Sequence, residues 1–83
     1  MLIDDYLEYQ IKYEKKYGPE TIILMQVGGF FEAYAIDNEE EKTNSENLNF
    51  ICDFMNIQIS RKNKNNQKIT RSNPLMAGFP LLA

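Results

Sequence analysis

The sequence predicts an α+β fold, a mixed sheet with helices packed on it, and three observations carry that expectation. Apolar side chains recur at helical spacing in the first seventeen residues and again from Leu48 to Met55. Two short runs rich in β-branched and aromatic residues meet at Gly28-Gly29, the pattern of a hairpin. Two further strand-like runs follow the second helix, which gives the element order α, β, β, α, β, β.

The first helix is expected from about Asp4 to Tyr17. Ile3, Tyr6, Leu7 and Ile11 form its apolar stripe, charged residues fill the spaces between them, and Gly18-Pro19 ends it. Thr21 to Val27 is β-branched and mostly apolar, so a buried strand is expected there. Gly28 and Gly29 accept positive φ without steric cost and supply the tight turn. Phe30 to Ala35 returns as the second strand. Asp37 to Asn44 is acidic and polar, a loop or an exposed helix start, and Glu39-Glu40-Glu41 reads as a solvated face.

Thr43 and Glu46 have the spacing of a capping box, in which two side chains satisfy free backbone N–H groups reciprocally. In the helix that follows, Leu48, Ile51, Cys52 and Met55 share a face. Phe50 and Phe54 widen it, so this helix is expected to be well buried. Cys52 reads as a small buried apolar residue, since nothing nearby would activate its thiol. Ile57 to Arg61 alternates like a strand with one covered face. Asn63 to Gln67 is a polar turn, and Lys68 to Arg71 returns as an edge-like strand. Asn73-Pro74 breaks it, and Leu75 to Pro80 re-enters the core, with Gly78 allowing a bend before Pro80.

Eighty-three residues allow at most one domain, and a chain this short has a thin stability margin. One cysteine and no histidine exclude a disulfide framework or a Cys/His zinc site within the chain. Neither a secretory signal pattern nor an apolar run of membrane-spanning length is visible, so an intracellular protein without a membrane partner is expected. The closing run Phe79-Pro80-Leu81-Leu82-Ala83 is apolar, which suggests a piece of a longer chain. The net charge of −3 hides a split. Residues 1–53 carry all twelve acids and four bases; residues 54–83 carry five bases (Arg61, Lys62, Lys64, Lys68, Arg71) and no acid. Contact with a polyanion is therefore expected from the second part, with these five as candidate phosphate contacts. A solvated hairpin is the plainer reading of the same run.

Two segments carry a resemblance to a known family. One is Gln26-Val27-Gly28-Gly29-Phe30-Phe31-Glu32-Ala33-Tyr34; the other is Asn73-Pro74-Leu75-Met76-Ala77-Gly78-Phe79-Pro80. They resemble the Gly-x-Phe-Tyr-Glu and Met-Ala-Gly-hydrophobic-Pro segments of the N-terminal mismatch-recognition domain (domain I) of MutS DNA mismatch repair proteins. The order of the segments, the helix leading into Tyr13-x-x-x-Tyr17-Gly18, and the strand ending in Ser60-Arg61-Lys62 are also similar. Gly28, Gly29, Met76, Ala77, Gly78 and Pro80 are the structural positions of these motifs. Gly29 stands where many relatives carry Asp, Phe31 replaces Tyr, and Gln26-Val27 replaces Arg-Met. These forms are similar to a MutS branch reported in large DNA viruses and some organelles.

The resemblance implies that Phe30 stacks on a mispaired base and that Glu32 hydrogen-bonds it. It also implies a partial domain I in residues 1–83, a double-stranded DNA partner with mismatches or small loops, a dimer in full-length form, and an ATPase domain downstream. ATP and Mg2+ belong to that downstream domain. This chain has no G-x-x-x-x-G-K-[ST] phosphate loop, so no cofactor and no enzymatic activity are expected of it. Strand alternation independently places Phe30 and Glu32 on one face and Phe31 and Ala33 on the other, toward the core. The alternative reading is a free-standing α+β interaction module with an exposed Phe-Phe-Glu docking segment. A small nuclease using Glu32 and Asp37 is weaker, for want of a histidine and a clustered acid set.

Overall fold

The apolar stripe at the start of the chain forms one long helix. In a computed structural model that describes residues 2–80, helix α1 spans Leu2–Tyr17. Asp4 and Asp5 sit in its first turn and Lys15 and Lys16 in its last, both favourable for the helix dipole. Ile3, Tyr6 and Leu7 are buried and Ile11 is half-buried. Gly18 then turns the chain with a φ of 113°.

The residues after α1 depart from the expected strand. Only Met25–Val27 pairs in the sheet, as β1. Gln10, fully buried on α1, explains the difference. Its amide nitrogen donates to the Thr21 carbonyl, and its carbonyl accepts the Ile23 N–H at 2.8 Å. Tyr6 donates its hydroxyl to the Ile23 carbonyl at 2.6 Å. Helix side chains therefore satisfy the backbone groups that a neighbouring strand would otherwise take.

Strand β2 spans Phe30–Asp37, two residues beyond the expected end, and the extra pairing partner is a short strand β3 (Lys42–Thr43) inside the segment expected to be loop. Asn38 closes the connection by accepting the N–H groups of Glu40 and Glu41, both at 2.8 Å. Helix α2 spans Ser45–Met55. The capping box does not form. Thr43 instead donates its hydroxyl to Glu41, Glu46 meets Lys42 at 3.6 Å, and the N-cap is Asn44 in a left-handed conformation. The Asn44 amide is drawn inward, donating to the Tyr6 hydroxyl and the Tyr34 carbonyl. Asn56, also left-handed, ends α2: its N–H reaches the Asp53 carbonyl, and the Ile57 N–H reaches that of Cys52.

Strands β4 (Ser60–Arg61) and β5 (Leu75–Pro80) complete the architecture. The sheet order is β1-β2-β5-β4, with β3 paired to the far end of β2. Every pairing is antiparallel. Lys68 to Arg71 is not the expected strand: Thr70 and Asn73 exchange backbone hydrogen bonds across a tight turn. Leu75 to Pro80, expected only to re-enter the core, is the central partner of β2. The core gathers Ile3, Tyr6 and Leu7 of α1, Ala33 to Ile36 of β2, Leu48 and Cys52 of α2, and Ala77 and Phe79 of β5. Each large apolar side chain buried here contributes about 1.5–3 kcal/mol. Phe50 and Phe54 lie outside it, 71% and 80% exposed, against the expectation of a well-buried helix.

Candidate nucleic-acid interface

The two segments singled out in the sequence, with 38 residues between them, lie side by side as β2 and β5. Phe30 pairs with Pro80, Phe31 with Phe79, Glu32 with Gly78, Ala33 with Ala77 and Tyr34 with Met76. Residues directly across an antiparallel ladder share a face. One face therefore carries Phe31, Ala33, Phe79 and Ala77, and it is covered: Ala33, Ala77 and Phe79 are buried and Phe31 half-buried. The other carries Phe30, Glu32, Tyr34, Met76 and Gly78.

Phe30 ends this second face at the hairpin turn and is 51% exposed. Val27, its directly paired neighbour on β1, is exposed beside it. Gly28 opens the turn with a φ of 58°, while Gly29 has no positive φ. Only the first glycine uses its special freedom, the arrangement of a type II′ rather than a type I′ turn. Nothing lies within 4 Å of a side chain built at Gly29. Gly78 does not bend the chain before Pro80. It lies within β5, and a methyl group there would stand 4.0 Å from the Phe30 ring, so the ring leans over the glycine.

Glu32 is half-buried and accepts the Tyr34 hydroxyl on Oε1. The bond holds the carboxylate on the Phe30 side of the strand. Burial pushes the Tyr34 phenol above its usual range, and the neighbouring carboxylate adds to the shift, so Tyr34 remains a donor. Its ring in turn packs edge-on against Tyr6 of α1, centroids 5.3 Å apart. Burial raises Tyr6 as well, to about 12. Sequence reasoning missed Tyr34 and Val27. The i, i+2 alternation that joined Phe30 to Glu32 also reaches Tyr34; Val27 needed the hairpin register.

The basic run is placed elsewhere. Arg61 pairs with Leu75, which pairs with Ala35, five residues along β2 from Phe30. At the usual strand rise that is roughly 17 Å. Arg61 donates to the Asn66 and Lys64 carbonyls, so its guanidinium ties down its own loop. Arg71 makes two bonds to Glu41, at 3.0 and 2.8 Å, and reaches Asp4 at 3.4 Å. This pairing raises the Arg71 pKa and lowers that of Glu41. Glu39 and Glu40 are exposed, whereas Glu41 belongs to this ion pair. Lys62, Lys64 and Lys68 are exposed. Asn73, buried beneath the loop, binds the Asn66 and Lys68 carbonyls and accepts the Asn63 N–H.

Cys52 is buried, and burial followed by the Asp53 charge pushes its thiol pKa up. Among the described residues no group of three or more His, Cys, Asp or Glu is placed to share a metal ion, and no helix is long and apolar enough to cross a membrane. No family model, curated protein or solved structure matches the chain.

Proposed function

We propose that this chain reads mismatched double-stranded DNA as the N-terminal part of a larger, ATP-driven, dimeric MutS-type protein. Phe30 is the wedge that stacks on the mispaired base, and Glu32 is the group that tests it. The observation that supports this reading best is the placement of Phe30. It stands half-exposed at a hairpin turn, with Glu32 two residues along the same face and held there by Tyr34. The resemblance of both paired strands to the family's motifs adds to it. The ATPase, its ATP and Mg2+, and the dimer contacts belong to the larger protein, and this part performs no catalysis.

The energetics favour discrimination by deformability. Inserting an apolar wedge costs a few kcal/mol per unstacked step, and stacking a base on an aromatic ring returns roughly 1–3 kcal/mol. On matched DNA the two nearly cancel. At a mismatch the step is already weakened, so the balance tips toward the kinked complex. Glu32 opposes approach to phosphates and becomes favourable where a base offers a donor. Tyr34 occupies one carboxylate oxygen and leaves the other for that donor.

The alternative, a protein-docking Phe-Phe-Glu segment, is weakened by the burial pattern. Phe31 faces Phe79 on the covered side, so the segment presents one phenylalanine, not two. The deciding experiment is a titration of the full-length protein with G·T and G·C duplexes. Loss of the G·T preference in Phe30→Ala, and tighter binding of matched duplex in Glu32→Ala, are the expected results. An unchanged preference in Phe30→Ala would overturn the reading.

A further inference from the structure

Helix α2 leaves its two phenylalanines bare. Phe50 is 71% exposed and Phe54 80%, with Met55 at 50% next to them. Phe50 and Phe54 are one helical turn apart and so stand on one stripe. Phe50 also lines a groove of about 420 Å³ together with Ile22, Ile51, Glu20, Glu46 and Asn47. Single exposed apolar side chains are ordinary, but adjoining aromatic rings on so small a domain mark a contact surface. The charge around this patch is mainly negative. Glu20, Glu46 and Asp53 are exposed, and α2 contains no lysine or arginine. Lys42 meets Glu46 at 3.6 Å, a pair so exposed that solvent screens most of its effect.

We propose that this face docks an amphipathic, basic helical segment of a partner protein. Two apolar side chains of that segment, one turn apart, cover Phe50 and Phe54, and flanking lysine or arginine meets Glu20, Glu46 and Asp53. Charge selects this occupant. A second copy of the chain packed face to face would set carboxylates against carboxylates, and a nucleic acid would bring phosphates to them. The inference does not rest on the mismatch reading, because the patch shares no residue with the Phe30 hairpin.

The test is fluorescence anisotropy of the whole protein with two labelled helical peptides, one of leucine and lysine and one of leucine and glutamate in the same pattern. The Leu/Lys peptide binds, binding weakens as salt rises, and the Leu/Glu peptide binds at least roughly tenfold less. The double change Phe50→Ser with Phe54→Ser abolishes binding while the circular dichroism spectrum is unchanged. Glu20→Gln, Glu46→Gln and Asp53→Asn together weaken it and flatten its salt dependence, a second readout should the serine variant unfold. Equal binding of both peptides overturns the charge argument, and retention of the Leu/Lys peptide by the serine variant overturns the site. Concentration-dependent self-association that the serine changes abolish, without peptide binding, assigns the face to a second copy and also overturns the proposal.

Discussion

The hairpin tip and the basic loop make an instructive pair. Both stand out in the sequence, one for its aromatics and one for its charge, and the structure treats them in opposite ways. At the tip, the exposed ring is left available and the carboxylate behind it is held in place by Tyr34. In the loop, two of the five bases are engaged internally, Arg61 with backbone carbonyls and Arg71 with Glu41 and Asp4. Net charge along a chain counts groups; it does not say which of them remain free. Bidentate donors such as arginine are the first to be recruited by local acceptors, whereas lysines stay solvated.

The sharpest way to break this comparison is on DNA. On the proposed mismatch-reading role, Phe30→Ala is expected to remove roughly 1–3 kcal/mol of mismatch preference while leaving thermal stability unchanged. Replacing Lys62, Lys64 and Lys68 by Gln is expected to weaken matched and mismatched duplexes alike, with a shallower salt dependence and the same ratio. A changed ratio in the lysine variant would assign reading, not only positioning, to the loop.

The supports beneath the two regions titrate at opposite ends of the pH scale. Below the tip, Tyr6 is raised from 10.0 to about 12 by burial. A folded-state pKa above the unfolded one means that its contribution is complete below pH 10.0 and is lost as pH rises toward about 12. The loss is on the order of 3 kcal/mol, and urea titrations across that window should show a shallower alkaline decline in Tyr6→Phe than in wild type, the remainder coming from the raised Tyr34 and Cys52. A smaller contrast separates the two turn glycines. Gly28→Ala must adopt a positive φ and should cost about 1–2 kcal/mol, whereas Gly29→Ala should leave the midpoint of thermal unfolding within its error.

The smallest effect lies under the loop. Glu41 is lowered from 4.5, first by its hydrogen bonds from Arg71. Its contribution is therefore present above pH 4.5 and is lost as pH falls through the lower folded value. Solvent screening of the partly exposed Arg71 keeps it to about 1 kcal/mol or less. Arg71→Gln should flatten that acid limb in a urea titration, and an unchanged limb would remove Arg71 from the support.

Much of the fold was legible because its signals are local. The helical stripe of Ile3, Tyr6, Leu7 and Ile11, the hairpin at Gly28-Gly29, and the alternation that joins Phe30 to Glu32 depend only on neighbours in the chain. Three misreadings share one cause: a distant partner took the group. Gln10 satisfied the backbone of Thr21 and Ile23, so the strand there began late. Asn44 turned inward to Tyr6 and Tyr34, and no capping box formed. Arg71 found Glu41 thirty residues away. Periodicity cannot say how wide a helical face its neighbours will cover, which is why Phe50 and Phe54 were assigned to the core and lie outside it. Local pattern by itself determined which residues form the two helices and the Gly28-Gly29 hairpin, and which side chains of β2 share a face. Tertiary structure alone decided that β5 lies against β2, setting Gly78 beneath the Phe30 ring and across from Glu32, because that register depends on the packing of Ala33 and Phe31 against Ala77 and Phe79, residues separated by more than forty positions in the chain.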